Sequence, residues 1–338
     1  MMQADQFDLI VNAIVKELSA VKPVDTIASP STVTSSVPSS QAAESATPKP
    51  EVSNSPAPAV ASTQPAQSKK SSTTSAHGDL VVDLPDPTTL EARSIPGIPN
   101  PADPDGLRAI MEATPSRIGY GRCGPRYRTP HWLLFQADQA ITQDTLYRDV
   151  DDGLLNKMGL FKVQTEITGG KQEYLLRPDL GRRLSEAARA TIQQKCTPKP
   201  TVQISVGDGL SSQAIEANLA QIMPVIQQGC QTAGFSMGTP FFIQYCRVGV
   251  MNDIGDILQP EILMLLIGER PGLGRADSMS IYMAYKPHSG HTDAERDVIC
   301  NVFNGGTNPL EAGAYAVQLA KKMIQYQAAG VKLKLAEK

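Results

Sequence analysis

The sequence predicts an α/β fold: a Rossmann-like, mostly parallel sheet with an N-terminal helical subdomain, preceded by a disordered tether and a short amphipathic helix. From Thr201 onward, strand-like runs alternate with helical periodicity, as in the crossover units of a parallel sheet. Residues 262–267 (Ile-Leu-Met-Leu-Leu-Ile) form an unbroken apolar run, the signature of a strand covered on both faces. No Phe, Trp or Tyr occurs between Phe7 and Tyr120, so the first third of the chain lacks the means to build a core.

In residues 1–20, Phe7, Ile10, Val11, Ile14, Val15 and Leu18 recur at spacings of three and four and share one helix face. So short a helix needs a surface to dock on. That surface is either the protein's own core or another protein, and the long tether behind it favours the second. Residues 21–101 are rich in Ser, Thr, Ala and Pro and should be disordered, since they cannot offset their conformational entropy. The run Leu80, Val81, Val82, Leu84 is expected to make at most a local contact.

In residues 102–200, a first helix is expected over 107–112, then a basic loop from Arg117 to Arg128. A helix over 129–142 should break and resume over 144–150. Residues 161–166 and 173–176 read as a hairpin turning at Gly169-Gly170, and a helix should run from Asp179 to Gln194. In residues 201–338, Val202, Ile204 and Val206 lead into Gly207-Asp208-Gly209-Leu210-Ser211 and a helix to Thr232. Strands are expected over 241–248, 262–267, about 281–285 and 297–302, and a closing helix over 311–327.

Composition narrows the function. The net charge of −3 offers no basic field for nucleic acid or anionic lipid. No apolar run approaches the roughly 18 residues of a spanning helix. Five scattered cysteines (Cys123, Cys196, Cys230, Cys246, Cys300), without a C-x-x-C pair, fit a reducing compartment better than disulfides or zinc. With no basic leader or cleavage motif at the N-terminus, a cytoplasmic protein is expected.

The Gly207-Asp208-Gly209 loop is not G-x-G-x-x-G, since Ser212 stands at the third glycine. Its glycines instead suit a tight strand-to-helix turn that Asp208 caps or orients. Neither a P-loop nor a G-x-S-x-G elbow occurs. Among the histidines, His77 lies in the tether, His288 and His291 in a polar loop, and His131 beside Trp132 reads as a core or interface residue. Glycine–arginine loops remain. Arg117, Arg122, Arg126 and Arg128 interleave with glycines, and Glu269-Arg270-Pro271 lies within Gly268–Gly274. Such loops let backbone approach a large flat ligand, while arginines fork onto carboxylates, phosphates or amides. Any single arginine is slightly more readily the partner of an acid in its own chain or a neighbour's, while the set of loops together favours a ligand or partner surface.

Several segments resemble, in order, the small subunit of ethanolamine ammonia-lyase. They are residues 121–129 (Gly-Arg-Cys-Gly-Pro-Arg-Tyr-Arg-Thr), 177–184 (Arg-Pro-Asp-Leu-Gly-Arg-Arg-Leu), 207–211, 238–242 with Arg247-Val248, 268–274, and Asn301 with 305–309 and Glu311-Ala312. The resemblance covers nearly all of the chain beyond Pro104. It implies a hetero-oligomer with a large barrel subunit, adenosylcobalamin held between the two, and conversion of 2-aminoethanol to acetaldehyde and ammonia. It places the catalytic groups on the large subunit, leaving this chain inactive alone and free of a metal site of its own. Cobalamin contacts carried over by position fall on Arg247, Val248, Glu269 and Val298, with Cys300 two residues further on. No histidine lies in a D-x-H-x-x-G motif, in keeping with a family that leaves the cofactor's own benzimidazole on cobalt. It also implies that the helix of residues 1–20 directs the protein to a bacterial microcompartment by docking on shell proteins. The alternatives are a scaffold that has lost the cofactor and a nucleotide-binding oxidoreductase.

Overall fold

The structure, a computed structural model, describes residues 89–337 apart from Pro115. The expected amphipathic helix, residues 21–88 of the tether and the Leu80–Leu84 run lie outside the described residues, whereas the tether's last stretch, 89–101, is ordered, with a helix over Leu90–Ser94 whose Arg93 pairs with the buried Asp138.

Two helices, α1 (Leu90–Ser94) and α2 (Pro104–Ala113), come first. Asp103 caps α2 by accepting from Gly106 N at 2.9 Å. A small ribbon of β1 (Arg122–Cys123) and β2 (Arg126–Tyr127) turns at Gly124. Helix α3 (Thr129–Tyr147) then runs unbroken through the expected interruption. The hydroxyls of Thr142 and Thr145 bond back to the carbonyls of Asp138 and Ile141, so the polar stretch stays inside the helix. Helix α4 (Asp152–Lys157) leads to β3 (Phe161–Gln164).

The expected hairpin does not form. Its second arm is helix α5 (Gly170–Leu176), because the Glu173 carboxylate accepts from Thr168 N (2.8 Å) and Gly169 N (2.6 Å) and closes a helical first turn. Likewise the single helix expected from Asp179 is a 3₁₀ turn (Leu180–Arg182) followed by α6 (Glu186–Lys195). Ser185 interrupts them, since its hydroxyl caps α6 by accepting from Ala188 N.

Next come β4 (Val202–Gly207), α7 (Ser212–Thr232), β5 (Phe241–Gln244), α8 (Val250–Leu258) and β6 (Ile262–Gly268). The chain then makes β7 (Met279–Tyr285), β8 (Arg296–Val302), α9 (Pro309–Tyr326) and α10 (Gly330–Ala336). The six-stranded sheet has the order β3-β5-β4-β6-β7-β8. The first four strands are parallel, while β7 and β8 run antiparallel to their neighbours. The sheet is therefore mixed rather than mostly parallel. A parallel crossover needs about a dozen or more residues, usually including a helix. The links 269–278 and 286–295 hold no such helix, so these strands return antiparallel.

Alternate residues of the strands feed two cores. Ile262, Met264 and Leu266 of β6 join Ile281 and Met283 under α7 and α9. Leu263, Leu265 and Ile267 point the other way, under α6 and α8. The apolar run in β6 is thus covered on both faces, as its composition requires. Helix α9 backs β7 and β8 on the first face. On the second, Ala284 of β7 joins the core under α6 and α8, while Ser280, Tyr282, Val298 and Cys300 border a cavity.

Candidate functional site

That cavity, of about 460 Å³, is closed on its other sides by the loops after β4, β5 and β6. Strands β5 and β6 lie on opposite sides of β4, so this is where the chain's winding reverses and an α/β sheet opens a crevice at its carboxyl ends.

The turn after β4 builds one wall. Gly209 has φ +55°, and any Cβ there would strike the carbonyl oxygen of Gly268, so the two loops touch only because this residue is glycine. Ser211, not Asp208, caps α7, accepting from Ala214 N at 3.1 Å. Asp208 reaches sideways instead. Its buried carboxylate accepts from Tyr245 N (2.9 Å), Cys246 N (2.8 Å) and the Lys171 ammonium (2.9 Å). Those bonds hold Tyr245 at φ +59°, in the left-handed region, and end β5 at Gln244 rather than at Val248. Arg247 and Val248 are thereby turned into the cavity.

Arg247 is braced from below. Its guanidinium lies 4.3 Å from the centre of the Tyr174 ring and donates to Tyr174 O at 3.3 Å. Tyr174 donates its hydroxyl to Cys246 O at 2.6 Å, and burial pushes its pKa far up, so it stays protonated. Gly181 makes room, for a Cβ there would lie 2.8 Å from Arg247 Cγ. One donor of the guanidinium, Nε, is buried without a partner among the described residues.

Glu269, just beyond β6, forms the opposite wall. Its carboxylate accepts from Ser278 Oγ (2.6 Å), Ser280 Oγ (2.5 Å) and Asn301 N (2.8 Å). Val298 lies opposite Tyr282, inside the edge strand β8 rather than at its end, with 47% of its surface exposed. All four residues singled out from the sequence, Arg247, Val248, Glu269 and Val298, thus line one cavity. Tyr174, Lys171 and the serine pair were not singled out. A serine at alternate positions beside a rim glutamate (Ser278, Ser280) was the available signal, whereas Tyr174 sat in the segment read as a strand.

The glycine–arginine loop divides. Arg117, with Arg93, closes on the fully buried carboxylate of Asp138 in α3, at 2.9 Å for Arg117. Arg117 also donates to Leu273 O at 3.0 Å, and Thr142 to Gly272 O at 2.9 Å. Arg128 donates to Gly97 O, and Arg122 lies over Tyr127. Arg117, Arg122 and Arg128 are therefore structural props, and the Asp138 cluster fastens the 268–274 loop behind Glu269. His131 packs on Tyr120, and burial lowers its pKa.

A carboxylate, a guanidinium with a spare donor and an apolar floor around Val248, Leu210 and Tyr282 match a ring carrying methyls and peripheral amides: acceptor to N–H, donor to C=O. Residues 104–334 match the family model described as ethanolamine ammonia-lyase light chain (EutC). Over 251 residues the chain is 44% identical to the ethanolamine ammonia-lyase small subunit of Clostridium perfringens, covering 74% of this chain and 85% of that one. The small subunit of Listeria monocytogenes is 42% identical over the same shares. That of Clostridioides difficile is 42% identical over 260 residues, 76% of this chain and 88% of its own length. Matched by the family model from residue 104 to 334 and by these relatives over about three quarters of its length, the chain belongs to the ethanolamine ammonia-lyase light-chain family.

Proposed function

We propose that this light chain works with a larger partner in converting ethanolamine to acetaldehyde and ammonia, and that its own part is to cover adenosylcobalamin. The convergence of Arg247, Val248, Glu269 and Val298 on one cavity carries this reading. When bound, the cofactor supplies the radical that starts the chemistry. The chain's residues bind and orient it: Glu269 accepts from ring amides, Arg247 donates to them, and Val248 and Val298 lie against the ring. At about 460 Å³ the cavity takes only one side of so large a molecule, which fits a cofactor shared with a second subunit.

The test is co-expression with the large subunit, followed by adenosylcobalamin binding and acetaldehyde release. Glu269→Ala is expected to weaken cofactor binding about ten- to hundredfold, the value of charge-assisted hydrogen bonds. Binding unchanged by the substitution would defeat the assignment. Residues 1–20, whose apolar spacing predicts a helix, we read as a docking peptide for microcompartment shell proteins. Deleting those residues is expected to leave lyase activity intact and abolish co-purification with shells, and undiminished co-purification would defeat that reading.

A further inference from the structure

Beside the cofactor cavity, and sharing Arg247 and Val248 with it, lies a larger concavity of about 730 Å³ at the start of α8. It collects four guanidiniums, those of Arg182, Arg183, Arg247 and Arg296. Two acids also border it, and both are committed: Asp253 to Arg189 (2.5 Å) and Leu184 N (2.8 Å), and Asp293 to Arg296. Arg182 and Arg183 have no ion-pair or hydrogen-bond partner for their side chains among the described residues. Arg296 is 6% exposed, yet its Nε is buried without an acceptor, as is the Nε of Arg247. Buried N–H groups left unpaired are rare and call for an acceptor. Several convergent guanidiniums match the geometry of a phosphate ester.

Resting on the cofactor reading above, we propose that this concavity binds the phosphodiester in the nucleotide tail of the cobalamin whose corrin lies against Glu269. Arg182 and Arg183 clamp the phosphate, and Arg247 spans the two cavities, its stem lodged against Gly181 while Arg182 packs over Gly249. A phosphodiester tethered to a ring already seated next door arrives at high effective concentration, which a free anion does not.

The experiment compares adenosylcobalamin with adenosylcobinamide, which lacks the phosphodiester and nucleotide, on the complex with the large subunit. Binding is read by retention and absorbance rather than by turnover. R182A/R183A is expected to bind adenosylcobalamin about a hundredfold more weakly, roughly tenfold per charge-assisted contact. It should bind adenosylcobinamide as the unaltered complex does. R182K/R183K, which keeps the charge, should recover part of the loss. Equal weakening of both cofactor forms, or failure of the complex to assemble, would overturn the proposal and assign the arginines to the subunit contact or the fold. No weakening of either would also overturn it. Phosphorus NMR with inorganic phosphate separates the remaining source: binding to the empty complex should vanish once adenosylcobalamin is loaded. Phosphate that still binds the loaded complex would mark a separate anion site and overturn the assignment. Should the unaltered complex bind neither cofactor form, this proposal and the reading of the neighbouring cavity would fall together, a result unlike any selective loss.

Discussion

Asp208→Ala is expected to destabilise the chain by about 3–5 kcal/mol, the cost of removing one partner from a buried ion pair. Asp208 is 1% exposed and Lys171 9%, so the substitution leaves an ammonium between the Tyr174 and Tyr245 rings whose one remaining carboxylate among the described residues is Asp149, at 3.7 Å and itself half in water. It also strips the acceptor from the amides of Tyr245 and Cys246, which hold a residue at positive φ. Adding Lys171→Met to Asp208→Ala should recover much of the loss, because the stranded charge is then gone while the two amides remain unpaired. Urea unfolding of the two variants and the unaltered chain measures this. A loss below about 1 kcal/mol, the value of a surface pair, would show that Asp208 is not the clamp of the β5 turn.

Asp138→Asn comes second, with an expected loss of about 3 kcal/mol at neutral pH. Burial alone would raise the Asp138 pKa, but hydrogen bonds and charge from Arg93 and Arg117 outweigh it and hold the carboxyl below the ordinary value. A depressed folded pKa contributes stability that is complete above the unfolded value, about 3.9, and is lost as pH falls through the folded one. The stability gap between the unaltered chain and Asp138→Asn should therefore be constant from pH 7 to about 5 and narrow below about 4. A gap that widens on acidification would reverse the sign assigned here. Since Arg117 and Thr142 also hold Leu273 and Gly272, the variant should loosen the loop behind Glu269, which hydrogen exchange at residues 272–275 would register.

Much of this architecture was legible because local pattern and burial agree. The apolar run of β6 could only be a strand covered twice, and the glycines after β4 could only make a tight turn. Strand direction was less legible: side-chain alternation is the same in parallel and antiparallel pairs, and only the short links 269–278 and 286–295, which hold no α-helix, distinguish β7 and β8. The false hairpin had a local cause as well. Residues 173–176 alternate like a strand, but Glu173 folds back onto the amides of Thr168 and Gly169, a capping contact that periodicity does not weigh. At the site, Arg247, Val248, Glu269 and Val298 came from motifs matched to a family. Their supports, Asp208 with Lys171 and Asp138 with Arg93 and Arg117, join residues 21 to 45 positions apart and become visible only when the chain is folded.

Glu269 is held by Ser278, Ser280 and the Asn301 amide. Fixing a free glutamate side chain costs about 1.5–2 kcal/mol of rotamer freedom, and here folding has already met that cost. Such an acceptor adds affinity without an ordering penalty at the moment of encounter. If Glu269 accepts from ring amides as proposed, it also makes the chain selective in a particular way. A guest whose amides fall short finds a carboxylate that does not swing to meet them, so near-analogues with shifted substituents are rejected by position rather than by charge.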